Sequence, residues 1–63
     1  MWYQADIGTY ERGVVFRFKE RNDKAAMRRA SRKGNLVQIF RSRVKNPKPK
    51  DCILVWDEYG YGQ

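Results

Sequence analysis

The sequence predicts a small α+β domain in which two β-hairpins are joined by one short helix. Residues 14–19 alternate apolar and polar side chains, as a half-buried strand does. Residues 24–33 are good helix formers, and none of them is β-branched. Two further segments, 36–44 and 53–59, are again rich in strand-forming residues. With a first strand at 2–7, the predicted order is therefore ββαββ.

The first hairpin joins the strands at 2–7 and 14–19 through a connection at 8–13 that begins and ends with glycine. Side chains alternate between the two faces of a strand. One face of the pair therefore carries mainly apolar side chains: Tyr3, Ala5, Ile7, Val14, Phe16 and Phe18. The other face carries Trp2, Gln4, Asp6, Val15, Arg17 and Lys19.

The helix is expected between a polar cap and a glycine. Asn22 or Asp23 can cap its N-terminus, and Gly34 follows its cationic end. Its apolar stripe is thin and made of small side chains, namely Ala26, Met27 and Ala30. Such a helix must lie close against the sheet, and the rest of its surface is basic.

The third and fourth strands each allow two registers. In the third, one register turns Leu36, Phe40 and Val44 toward the core and Val37, Ile39, Arg41 and Arg43 outward. The opposite register also has apolar side chains to bury. In the fourth strand, the inward pair is either Ile53 and Val55 or Leu54 and Trp56.

The two hairpins are expected to form one four-stranded, mainly antiparallel sheet with the helix packed on one face. A right-handed crossover that passes over the first strand gives the strand order 2-1-3-4. Two prolines in the segment 46–51 predict an extended cationic loop, because proline cannot donate to a strand ladder. The domain is expected to cover residues 1–59, with a flexible tail at 60–63.

Charge is very unevenly distributed along the chain. All fourteen Lys and Arg residues lie between Arg12 and Lys50, where the only acids are Glu20 and Asp23, so this window carries +12. The sequence outside this window contains no Lys or Arg and holds the five other acids: Asp6, Glu11, Asp51, Asp57 and Glu58. Clustered cations of this kind indicate a polyanionic partner, most often DNA or RNA.

Two surfaces are candidates for contacting such a partner. The sheet face away from the helix is expected to carry Arg17, Lys19, Arg41 and Arg43, with Trp2 and, in one register, Trp56 as stacking aromatics. The helix carries a second basic group: Arg28, Arg29, Arg32 and Lys33. The loop cations Lys45, Lys48 and Lys50 would extend either surface along a phosphate chain.

Catalysis is not expected. The chain has no His, the commonest general base near neutral pH, and the neighbouring Asp57 and Glu58 point to opposite faces of a strand. No glycine spacing matches a phosphate-binding loop, and Cys52 is a single cysteine without partners for a disulfide or a metal, so no cofactor is expected. No segment approaches the length of a membrane span, and a lone thiol suits a reducing cytoplasm.

A protein partner is the competing hypothesis. The chain has the size of a small phage-type modulator or inhibitor that docks on an acidic surface of a larger protein. Aromatic side chains toward the two ends are of the types that anchor interfaces: Trp2, Tyr3, Tyr10, Trp56, Tyr59 and Tyr61. An edge strand can also pair with a second copy to form a homodimer. A small ribosome-associated structural protein is a further alternative that suits the size and charge.

Overall fold

The computed structural model, which describes residues 1–9 and 11–60, contains four strands and one helix in the predicted order. The elements are β1 (Trp2–Ile7), β2 (Val14–Lys19), α1 (Asp23–Ser31), β3 (Leu36–Ser42) and β4 (Ile53–Asp57). The strands form one antiparallel sheet in the order β2-β1-β3-β4, which confirms the predicted fold and topology. Tyr10 and residues 61–63 of the predicted tail lie outside the described residues.

The core lies between α1 and one face of the sheet, here called the helix face. Ala26 and Ala30 are fully buried against Ala5 and Ile39, which are also fully buried. Because these alanines have almost no side chain, the helix backbone can approach the sheet closely, as the sequence predicted. The other buried apolar residues of this cluster are Tyr3, Ile7, Phe18 and Leu36.

The register of β3 combines features of both sequence alternatives, because this strand contains a bulge. Leu36 pairs with Ile7 and Gln38 pairs with Asp6, so Val37 is an extra residue in β3. Beyond the bulge, Ile39 lies in the core and Phe40 lies on the opposite face of the sheet, here called the open face. The prediction that Leu36 is buried is confirmed, and the prediction that Phe40 faces the core is wrong.

A second bulge sets the register of β4. Trp56 pairs with Ile39 and Leu54 pairs with Phe40, so Val55 is the extra residue. Val55 and Trp56 both pack against the core cluster, whereas Leu54 lies on the open face. Neither of the two strictly alternating registers is therefore correct.

Local signals explain the two ends of the helix. The Asn22 side chain accepts a hydrogen bond from the Ala25 backbone N–H at 2.8 Å, so Asn22 is the N-cap. Beyond the C-terminus, Gly34 has a φ of +151°, and a Cβ there would lie 2.8 Å from the Ile7 side chain. Only glycine permits both this backbone conformation and the close approach to β1.

A partly buried polar junction joins the start of α1 to β1 and β3. The Tyr3 hydroxyl donates to Asp23 Oδ1 at 2.7 Å, and the Arg41 guanidinium donates to Asp23 Oδ2 at 2.6 Å. Burial of the ring, together with the hydrogen bond to the Asp23 carboxylate, raises the pKa of Tyr3 to about 12. The junction therefore holds one carboxylate between two strands that are neighbours at the centre of the sheet.

Tyr3→Phe is expected to lower the free energy of unfolding by about 2 kcal/mol at neutral pH, since it deletes one hydrogen bond to a carboxylate but keeps the ring. The folded state holds the phenol proton more tightly than the unfolded state. The stabilisation that the protonated Tyr3 hydroxyl gives the folded state is therefore complete below the ordinary pKa of 10.0, and it is lost as pH rises toward the folded-state pKa of about 12. Urea unfolding of the wild-type and Tyr3→Phe proteins should show the difference between their free energies of unfolding narrowing from pH 10 to about pH 12. A difference that stays constant with pH would contradict the role assigned to the Tyr3 hydroxyl.

Candidate nucleic-acid interface

Most of the cations have no carboxylate partner. Arg29 lies 3.7 Å from Glu20, and Arg41 lies 2.6 Å from Asp23. The other twelve cations are exposed, and none is within 4 Å of a carboxylate in the part of the chain that the structure describes. The positive window of the sequence therefore remains a positive surface after folding.

The open face has a cationic, aromatic end and an acidic end. Strand pairing sets its side chains in three rows across the sheet: Lys19, Trp2 and Ser42; Arg17, Gln4, Phe40 and Leu54; Val15, Asp6, Gln38 and Asp57. In the third row the Gln38 amide donates to the Asp6 carboxylate. Phosphates would therefore be attracted to the first two rows and repelled by the third.

The segment between β3 and β4 folds back over the middle of the open face. Lys45 Nζ lies 5.6 Å from the centre of the Trp2 ring, and Arg17 donates to the Asn46 side chain at 3.4 Å. Residues Pro49–Asp51 form one 3-10 turn, so the segment is not extended throughout as the sequence suggested. It leaves a groove of about 320 Å³ lined by Gln4, Arg17, Phe40, Pro47, Pro49 and Cys52.

Only part of the predicted sheet-face group lies together. Arg17, Lys19 and Trp2 share the open face, as expected from the alternation in the first hairpin. Arg41 is on the helix face opposite Tyr3, where Asp23 binds it, so its predicted place beside Arg17 is wrong. Trp56 packs against the core from the helix face, so the open face lacks this predicted stacking aromatic.

Arg43 follows the end of β3 and lines a different groove. This groove has a volume of about 580 Å³ and lies at the end of the sheet near the N-terminus. Three of its lining residues are cations, Arg41, Arg43 and Lys50, and one is an acid, Asp51. Three others are apolar and strongly exposed: Met1, Val44 and Ile53. Arg43 and Lys50 therefore border an apolar depression away from the first two rows of the open face.

The cations of α1 and of the turn that follows it divide into two groups. Arg29 and Lys33 lie over the aromatic rings of β2, with the Arg29 guanidinium 5.0 Å from the Phe18 ring centre and Lys33 Nζ 4.9 Å from that of Phe16. Because β2 is an edge strand, these long side chains cover rings that the short helix leaves exposed. Their role in this arrangement is structural.

The remaining helix cations point into solvent. Lys24, Arg28 and Arg32 are exposed and have no side-chain partner among the described residues. Arg28 and Arg32 line a shallow groove with Arg29, Glu20 and Arg21, the last a cation outside the predicted groups. Of the predicted basic group on the helix, Arg28 and Arg32 lack a partner among the described residues, and this pair is here called the helix ridge.

The described residues form a small α+β domain in which twelve of the fourteen cations have no carboxylate within 4 Å. No protein-family model matches the chain, and neither a curated protein nor a solved structure matches it. Across residues 1–9 and 11–60, no helix is long and apolar enough to cross a membrane. The same residues contain no group of three or more His, Cys, Asp or Glu side chains that could hold a metal ion.

Arg29→Ala is expected to lower the free energy of unfolding by about 1 kcal/mol, because it uncovers Phe16 and Phe18 and removes a cation from their faces. Arg28→Ala is the matched control, since it removes the same charge from the adjacent helix position. Its effect should stay within about 0.5 kcal/mol, as for other surface substitutions. Urea unfolding measures both, and equal effects would contradict the structural role of Arg29.

Proposed function

We propose that this protein binds nucleic acid without catalysing a reaction. The observation that carries the proposal is the set of twelve exposed cations that lack a carboxylate partner in the described residues. Like charges at this density repel one another and lower the stability of a compact state. The negative charge of a polyanion offsets that repulsion. Each Lys or Arg that meets a phosphate also releases a condensed counterion from the nucleic acid, which favours binding.

The cationic end of the open face is the surface that we favour. It combines Arg17, Lys19 and Lys45 with the ring of Trp2 and the polar side chain of Gln4. Cations beside an aromatic ring suit single-stranded nucleic acid, whose phosphates and unstacked bases can be contacted together. The helix ridge of Arg28 and Arg32 offers charge alone, which suits contact with a backbone.

Binding to a single-stranded oligonucleotide is expected to weaken steeply as salt is added, with a log–log slope of about −0.7 per phosphate neutralised. Replacing Arg17 and Lys19 together by Gln should weaken binding and make the slope shallower by about 1.4. Replacing Arg28 and Arg32 by Gln is the matched control, because it removes the same charge from the other side of the domain. Fluorescence anisotropy at several salt concentrations measures all three proteins.

The outcomes distinguish binding at the open face, binding at the helix ridge and no binding of nucleic acid. A larger loss in the Arg28 and Arg32 variant would assign binding to the helix ridge. Binding that does not depend on salt, or the absence of binding at low salt, would overturn the proposed function. Circular dichroism checks that each variant is folded, which matters because Arg17 donates to Gln4 and Asn46.

A second candidate function is docking on an acidic surface of a larger protein, as a stoichiometric modulator. The groove lined by Met1, Val44 and Ile53 favours it, because these apolar side chains are 43%, 55% and 51% exposed and are bordered by cations. An apolar depression with a cationic rim suits a partner segment that is apolar and acidic.

This candidate predicts that a nuclease-treated pull-down retains one dominant protein. Ile53→Ser should release that protein, because the substitution removes exposed apolar surface from the groove. Val15→Ser is the control, since Val15 is 55% exposed and lies on the open face, away from this groove. Loss of every partner on nuclease treatment would contradict protein docking. Homodimer formation through the free edges of β2 or β4 stays a prediction, which sedimentation measurements can test.

A further inference from the structure

The groove beneath the β3–β4 segment has the features of a binding site for one nucleobase. We propose that it receives a single unpaired base of the bound strand, with Phe40 as the stacking platform and Gln4 and Arg17 as the groups that contact the base edge. This inference rests on the proposed function, because the base would arrive as part of a single-stranded nucleic acid. It adds a contact with one base to the phosphate contacts that the charge supports.

Part of the groove lining is apolar. Phe40 lies on the open face next to Gln4 in β1 and Leu54 in β4, so α1 does not cover its ring. Pro47 and Pro49 in the returning segment form part of the lining. Proline has no backbone N–H, and these residues therefore present mainly carbon atoms to an occupant. A flat ring in the groove would find apolar surface on Phe40 and on the prolines.

The polar groups in the lining are few and lie side by side. Arg17 Nε donates to Gln4 Oε1 at 3.1 Å, and Gln4 lies directly opposite both Arg17 and Phe40 across the sheet. This bond occupies the Gln4 carbonyl oxygen and leaves its amide N–H groups, together with other guanidinium N–H groups, available as donors. Donors arranged in this way suit the acceptor atoms on the edge of a base.

Size and charge also favour a base over other occupants. The volume of about 320 Å³ lies at the lower end of the roughly 300–1,000 Å³ that is usual for small-molecule sites. Exposed cations flank the groove on the open face and in the loop, namely Arg17, Lys19, Lys45 and Lys48. An apolar slot bordered by cations complements a planar base that is joined to phosphates. A base stacked within a duplex cannot enter, which restricts the ligand to single strands.

The neighbouring base can be placed on Trp2. Trp2 lies opposite Ser42, two residues from Phe40 along β3, so the two aromatic side chains are diagonal neighbours on the open face. The Lys45 ammonium now lies 5.6 Å from the Trp2 ring centre. An arriving base would take this position, and Lys45 would move to a phosphate. The strand would then run diagonally from Trp2 to Phe40.

The test compares oligothymidylate with an abasic oligomer of the same length and phosphate number, at one salt concentration, by fluorescence anisotropy. The base-bearing strand should bind about a hundredfold more tightly, because one stacked base is worth about tenfold and two are placed, on Phe40 and on Trp2. Phe40→Leu should reduce this ratio while leaving the affinity for the abasic strand unchanged. Phe16→Leu is the matched control, because it makes the same change on the helix face and should keep the ratio.

Cys52 supplies a measurement that needs no substitution. It is the only cysteine of the chain and lines the groove, so an inserted base should slow its alkylation by neutral iodoacetamide. Saturation with the base-bearing strand should protect it, and saturation with the abasic strand should not. Equal affinity for the two strands, with equal protection of Cys52, would overturn the base site and leave the proposed function standing. Failure of both strands to bind at low salt would overturn both proposals.

Discussion

The Asp23 carboxylate is the interaction on which the rest of the structure depends. It accepts hydrogen bonds from Tyr3 in β1 and from Arg41 in β3, and it belongs to the first turn of α1. With Arg41 held on the helix face, Ile39 must also face the core, and Phe40 must face away from it. A partly buried ion contact at the start of the helix therefore determines which aromatic ring the open face presents.

The same junction explains why a nine-residue helix can complete the domain. Ala26 and Ala30 bury little area, so helix propensity and apolar contact alone hold α1 weakly. The contacts of Asp23 fix its N-terminus, and Arg29 and Lys33 extend its coverage over Phe16 and Phe18 at the edge strand. Some of the positive charge is thus used to cover the core, and the rest is available for a partner.

Sequence reasoning predicted the element order, the strand order and the faces of the first hairpin, because these depend on periodicity and local capping. It could not predict the bulges at Val37 and Val55, since one extra residue changes the face of everything that follows and leaves no mark in an alternating apolar pattern. Arg41 was misplaced for a related reason, because its partner Asp23 lies 18 residues earlier in the chain.

The candidate site was predictable only in part. The common face of Trp2, Arg17 and Lys19 follows from the alternation of two strands, and it was predicted. The groove around Phe40 and Gln4 was not, because it depends on the bulge in β3 and on a loop whose contacts with Trp2 and Arg17 are long-range. Sequence also treats every cation alike, whereas the fold separates Arg29 and Lys33, which cover rings, from Arg28 and Arg32, which do not.

The acidic end of the open face would limit how a bound single-stranded nucleic acid lies on the protein. Asp6 and Asp57 occupy the third row, so a phosphate chain that followed the direction of the strands would leave the cations and meet carboxylates. A chain that crosses the strands stays within the first two rows, where Lys19 and Arg17 flank Trp2 and Gln4. Two rows accommodate only a few nucleotides. Under the proposed function, the affinity of one domain would come from these few contacts, and an inserted base would supply a larger fraction of the binding free energy than on a longer surface.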